Sequence, residues 1–192
     1  MSKPHKFPLI LGMNRAQITN ALYEKHKDFI KTLEALSSQE FQLAPEGKWS
    51  ASEQLDHIYR SVKPLNKAFA MPLAVLKLKF GLAKKPSRSY EVLVSDYQEA
   101  LLEKKDFAIP SDFTPKNHEN ASRAARLMKL EKLVQKLGNH MKRLSEKELD
   151  TYVLPHPLLG KLTLREMLYF TCYHVMHHQQ QIIPNIKAHK NA

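Results

Sequence analysis

Glycine is scarce in this sequence: five in 192 residues, with no Asn-Gly or Asp-Gly pair among them. An all-β chain built from many tight hairpins depends on such turns, so that class is disfavoured and the lean is helical. A single cysteine, Cys172, excludes an internal disulfide and fits a reducing compartment. Long apolar runs are missing too. The longest uncharged apolar stretch beyond the N-terminus, AFAMPLAVL over residues 68–76, contains Pro72 and falls well short of the ~20 residues a membrane span needs. The apolar patch before Gly12 is too short for a signal peptide, and a cytoplasmic location is the expectation. Acidic residues are also in deficit, 19 against 30 Lys and Arg, leaving a formal charge of +11.

That charge favours anionic partners. Between Arg60 and Arg88 stand eight basic residues and no acidic one. The segment is lysine-rich and interleaved with aliphatics, without the clustered arginines or aromatic platforms of a nucleic-acid surface, so no nucleic-acid partner is expected. It reads first as a solvated face of snorkelling lysines, and second as a basic rim, including Lys63 and Lys67, beside a pocket for an anionic small-molecule substrate. With 43% hydrophobic residues the chain can bury one core, and we read residues 1–192 as a single domain in which 81–120 is a loop and short-helix insertion.

What is present is helical periodicity. Ile18, Leu22, Phe29, Leu33 and Leu36 mark a first helix over about 14–37. A second starts at Ser50, where Glu53 three residues on completes a capping box; Pro64 and Pro72 are expected to kink or end it. A short helix over about 90–105 is flanked by loops, and a third long helix covers about 121–145. After the loop LPHPLLGK, a fourth opens at Thr163, with Glu166 as capping partner, and runs to about Ile183 before Pro184 interrupts it. No run reads as a convincing strand. The fold class is therefore all-α, a four-helix bundle, whose sites are built from side chains facing the bundle axis.

The last helix carries histidines on its apolar stripe. At about 100° per residue, His174 and His178 fall among Leu164, Met167, Leu168, Thr171, Val175 and Ile182, about 40° apart in projection and one turn apart along the axis. Imidazoles at that spacing can bind one ion, and as core residues they would need two buried partners instead. His177 projects toward the rim and Cys172 points roughly 160° away from His174. A third ligand must come from another helix. His57 lies on the flank of the second helix, about 120° from its apolar direction, whereas His26 sits squarely in the stripe of the first. Projection leaves both open.

The stretches WSASEQLDHI and, more than a hundred residues later, HPLLGKLTLREMLYFTCYHVMHHQQQI resemble the DinB/YfiT-like superfamily of metal-dependent enzymes. The resemblance implies a four-helix bundle of the DinB/YfiT-like type holding one divalent ion, zinc or nickel, through His57, His174 and His178. It implies a hydrolase or a low-molecular-weight thiol S-transferase, with the thiol as a second cofactor, and a homodimer. Three neutral imidazoles leave a coordination position open, as a catalytic site requires. For hydrolysis, Glu53, one turn before His57, is the candidate general base, although its place in the capping box explains it equally. A non-catalytic stress-response scaffold of the same fold is the alternative.

Overall fold

Caps and apolar stripes set the helix ends. The computed structural model describes residues 12–104, 107–116 and 122–190; the apolar patch before Gly12 and the start of the third predicted helix at 121 lie outside them. Helix α1 (Arg15–Glu34) is opened by Asn14, which accepts from the Gln17 backbone N–H while the Gln17 side chain accepts from that of Asn14. A short α2 (Ser38–Gln42) leads to α3 (Ala51–Phe69), where Ser50 and Glu53 form the expected capping box. Pro64 does not end α3; the helix runs five residues beyond it, and Pro72 instead caps the next helix, α4 (Leu73–Phe80). Helices α5 (Tyr90–Glu103), α6 (Arg123–Met141) and α7 (Glu146–Thr151) follow.

Two expectations need correction. The segment read as a loop is a hairpin, in which β1 (Val153–His156) pairs antiparallel with β2 (Gly160–Thr163), Leu154 opposite Leu162 and His156 opposite Gly160. Gly160, at φ +74°, supplies the left-handed residue that the reversal requires. Each strand has one partner only, so Pro155 costs no central ladder bond. The second correction concerns α8 (Leu164–Lys190), which passes through Pro184. Ile183 and Pro184 are exposed, so the carbonyl deprived of its helical partner can turn to water.

Helices α1, α3, α6 and α8 form the bundle: α1 packs between α6 and α8, and α3 closes the ring by packing on both. Ile18, Leu22, Phe29 and Leu33 of α1, Leu130 and Leu137 of α6, and Leu168 and Val175 of α8 are completely buried. Each such side chain contributes about 1.5–3 kcal/mol. Helix α5 covers the outer side of α8. Among the described residues no helix is long and apolar enough to cross a membrane.

Glu166 fastens the start of α8. Its Oε2 accepts from the Thr163 backbone N–H at 2.9 Å, while its Oε1 accepts from the backbone N–H and the Nε of Arg88, at 2.9 and 2.7 Å. Glu166 is buried and Arg88 is only partly so, which tempers the ion pair but not the two amide bonds. Glu166→Ala is expected to destabilise the protein by about 3 kcal/mol, because it strands three donors at a buried position. Urea unfolding would measure this; a change below about 0.5 kcal/mol would refute the assigned role.

Candidate metal centre

His57 reaches the bundle interior from the flank of α3. That flank is buried because residues 107–116 lie across it: Asp56 accepts from the Lys116 backbone N–H at 2.8 Å and pairs with Arg60 at 2.6 Å, and Arg60 Nη1 donates to the Asp112 carbonyl. The His57 ring is part of this docking. Its Nδ1 donates to the Phe113 carbonyl at 2.8 Å, which places the ring proton there and leaves Nε2 with a lone pair facing inward.

On α8, one turn apart, His174 and His178 face the same point. His174 Nε2 stands 3.1 Å from His57 Nε2 and 3.1 Å from His178 Nε2, and one ligand atom from each of the three residues lies within 4.8 Å of the others. These three are the only such group of histidine, cysteine or carboxylate side chains among the described residues. The arrangement is poorly satisfied by protons. His174 Nε2 can donate or accept, not both, so at most one of its two short contacts is a linear hydrogen bond. His178 Nδ1 is sealed from solvent without a partner. A cation facing the three nitrogens would answer what protons cannot.

Burial pushes all three imidazoles below their ordinary value, and His174 and His178, which also feel the neighbouring histidines, fall well below it. The site therefore presents neutral rings near pH 7, the form that binds metal. Trp49, the only tryptophan, closes one side, its ring 4.8 Å from that of His57 and stacked at 6.1 Å on that of His178.

The other singled-out residues lie elsewhere. His26 is buried in α1, donates from Nδ1 to the Leu22 carbonyl at 2.8 Å, and is separated from His174 by a cavity of about 40 Å³ that both line. Burial lowers it to about 4 and raises the Cys172 thiol to about 12, leaving that thiol inert. His177 stands at the rim, where its Nε2 accepts from the Gln181 amide at 2.9 Å. Glu53 stays in the helix cap, its Oε2 accepting from the Ser50 N–H and hydroxyl, and it does not line the cavity beside the histidines.

That cavity, about 410 Å³, opens from the three histidines between α3, α5, α8, the hairpin and residues 107–116. Phe107, Ile109, Phe113, Leu154, Leu158 and Phe170 give its apolar character, and among the described residues no lysine, arginine, aspartate or glutamate is on its wall. Lys63 and Lys67 are exposed and stand outside it. Sequence reading missed Trp49, the Phe113 carbonyl and His156 as parts of this region. Trp49 beside the Ser50 cap was the one legible signal, since a tryptophan bordering a cap is placed by the cap.

Comparison with known proteins agrees with this architecture. The family model of the DinB superfamily matches residues 21–182. Three solved chains match the structure. One is YfiT from Bacillus subtilis, described as a probable metal-dependent hydrolase with an unusual four-helix bundle topology; it aligns with a TM-score of 0.61 at 17% identity, covering 98% of this chain and 94% of that one. Identity that low speaks for the fold alone. No curated protein matches. The family match spans most of the sequence and includes the helices that carry all three histidines: the chain belongs to the DinB superfamily.

Proposed function

We propose that this protein is a metal-dependent hydrolase in which His57, His174 and His178 hold one divalent ion. The observation that carries the reading is the convergence of three neutral Nε2 atoms, with 3.1 Å contacts that ring protons cannot all bridge, at the floor of a cavity. A divalent ion held by imidazoles alone keeps its full charge and supplies a bound water of lowered pKa. The chain's own groups prepare for this. The Phe113 carbonyl fixes the His57 tautomer, and such outer partners orient metal-binding histidines generally. Trp49 shields two of the rings, and the apolar wall limits competing solvent. The resemblance to a structure described as a probable metal-dependent hydrolase supports the same reading.

Thiol transfer, which the resemblance implies alongside hydrolysis, would gain from a basic rim that attracts an anionic thiol; Lys63 and Lys67 are exposed and stand outside the cavity wall, and hydrolysis is the reading kept. Glu53 is spent on the cap, and among the described residues no carboxylate lines the cavity as a base; the titratable groups on the described wall are histidines and Tyr97.

Plasma mass spectrometry of untagged protein should find about one zinc or nickel per chain. A second readout is optical. Because Trp49 is the only tryptophan and lies against His57 and His178, cobalt or nickel added to the chelated protein should quench most of its emission. No bound metal after reconstitution, with unquenched Trp49, would leave a helical scaffold with core histidines.

A further inference from the structure

His156 ends β1 and is buried, yet it is not consumed by the fold. Its Nδ1 accepts two backbone hydrogen bonds across the hairpin turn, from the N–H of Leu158 at 3.2 Å and of Leu159 at 3.0 Å. A nitrogen that accepts cannot carry the proton, so the neutral ring must bear it on Nε2. Among the described residues no group accepts from that N–H. Nor is Nε2 one of the polar atoms sealed from solvent without a partner, and the residue lines the large cavity. Burial holds the ring at about 4, so the side chain is a donor without charge across the neutral range.

Its surroundings sharpen this. The His156 ring lies 4.3 Å from that of Phe170 and 6.2 Å from that of Tyr97, and Phe170 is stacked at 4.8 Å on His174. One aromatic ring therefore separates the donor from the metal centre. Around it the wall is aliphatic and aromatic. Ser61, which also lines the cavity, already donates its hydroxyl to the His57 carbonyl at 2.9 Å. An apolar cavity with few convergent polar groups selects ligands by shape and by the partner each polar group demands. Among the described residues the wall supplies no cation of its own, so away from the metal an anion would leave water with no charge to receive it.

We propose that His156 is a substrate-binding hydrogen-bond donor, and that the cavity takes an uncharged, mainly apolar substrate bearing a carbonyl oxygen that accepts from His156 Nε2. This rests on the cavity being the substrate site of the hydrolase proposed above. It replaces the anionic substrate that the basic segment suggests.

The test uses an isosteric pair: 2-acetylnaphthalene, and 2-isopropenylnaphthalene, which has a methylene in place of the oxygen. 2-Naphthalenesulfonate serves as the anion. Binding is read from Trp49 emission and by calorimetry on the full chain, both chelated and zinc-reconstituted, with metal content measured on the same samples. The ketone should bind about tenfold more tightly than the alkene, the worth of one hydrogen bond to a buried donor, and in the chelated protein the sulfonate should bind more weakly than either. The carbonyl stretch of the bound ketone should move to lower frequency. In His156→Asn the side-chain oxygen can still receive the two turn N–H groups, but the shorter amide places no N–H where Nε2 stood; the ketone preference should collapse to near one with alkene affinity unchanged. Equal affinities and an unshifted carbonyl in the wild type would overturn the donor role without needing the variant. Tighter binding of the sulfonate to the chelated protein, or no naphthalene binding at all, would overturn the substrate class. A ketone preference in protein that never takes up metal would keep the donor and sink the hydrolase reading, whereas a metal-loaded protein without the preference would do the reverse.

Discussion

His178→Ala is expected to empty the metal centre while leaving the bundle folded. The variant retains two ligands, on different helices, and loses the one whose other nitrogen is sealed from solvent without a partner. Loss of an outer partner to a metal-binding histidine costs roughly 10–100-fold in affinity, and loss of a ligand should exceed that, so chelator competition should show affinity falling by more than 100-fold. Folding should respond much less. His178 lines a cavity, its ring neighbours are the three other histidines of the site region and Trp49, and its sealed Nδ1 is a cost that truncation removes, so the chelated variant should unfold within about 1 kcal/mol of the chelated wild type. His57→Ala should empty the site as well, but with a larger loss of stability, because it also removes the anchor that Phe113 provides for residues 107–116. Metal retained at full occupancy in His178→Ala would mean that the three nitrogens do not share one ion.

The helices and their caps were readable because they are local. Ser50 with Glu53 and Thr163 with Glu166 sit three residues apart, and the structure pairs both sets through backbone N–H groups. His174 and His178 were readable as an inward pair for the same reason: both lie on one helix, and one stripe tells their direction. His57 was not decidable against His26 from projection, because what makes its flank an interior face is the docking of residues 107–116 through Asp56 and the Phe113 carbonyl, some 56 to 60 positions away. The hairpin escaped for a related reason. Four residues per strand give one cycle of alternation, interrupted by Pro155, and the pairing is confirmed only by the burial of Leu154 and Leu162 against the bundle. Pro184 misled in the other direction: a rule about lost backbone bonds is weak where the freed carbonyl faces water. Arg126 and Arg165, whose charges read as surface, are buried among Ser52 and among Glu146 and Asp150 respectively. No periodicity announces such partners.

Acid should unfold the metal-free protein earlier than a bundle of this size would otherwise suggest. Burial lowers His174 and His178 well below the ordinary value of 6.5, and lowers His26 and His156 from it to about 4. The sign follows from proton counting. In the unfolded chain these rings bind protons near pH 6.5, whereas in the folded protein they remain neutral down to about 4, so across that window the unfolded state holds more protons and stability falls as pH falls. At pH 5 a group shifted in this way costs about 2 kcal/mol, so His26 and His156 together remove about 4 kcal/mol from a total that is ordinarily 5–15. Bound metal would steepen the dependence, since protons compete for the same nitrogens. His26 allows the claim to be separated from the metal centre. Its Nε2 is sealed and unpartnered, and its only hydrogen bond is to a carbonyl in its own helix. His26→Leu should therefore retain metal, match or exceed the wild type at pH 7, and cut the stability difference between pH 7 and pH 5 by about 2 kcal/mol in urea unfolding of chelated protein. An undiminished difference would show that the acid sensitivity arises at the metal centre and the hairpin instead, where His174, His178 and His156 take up the protons.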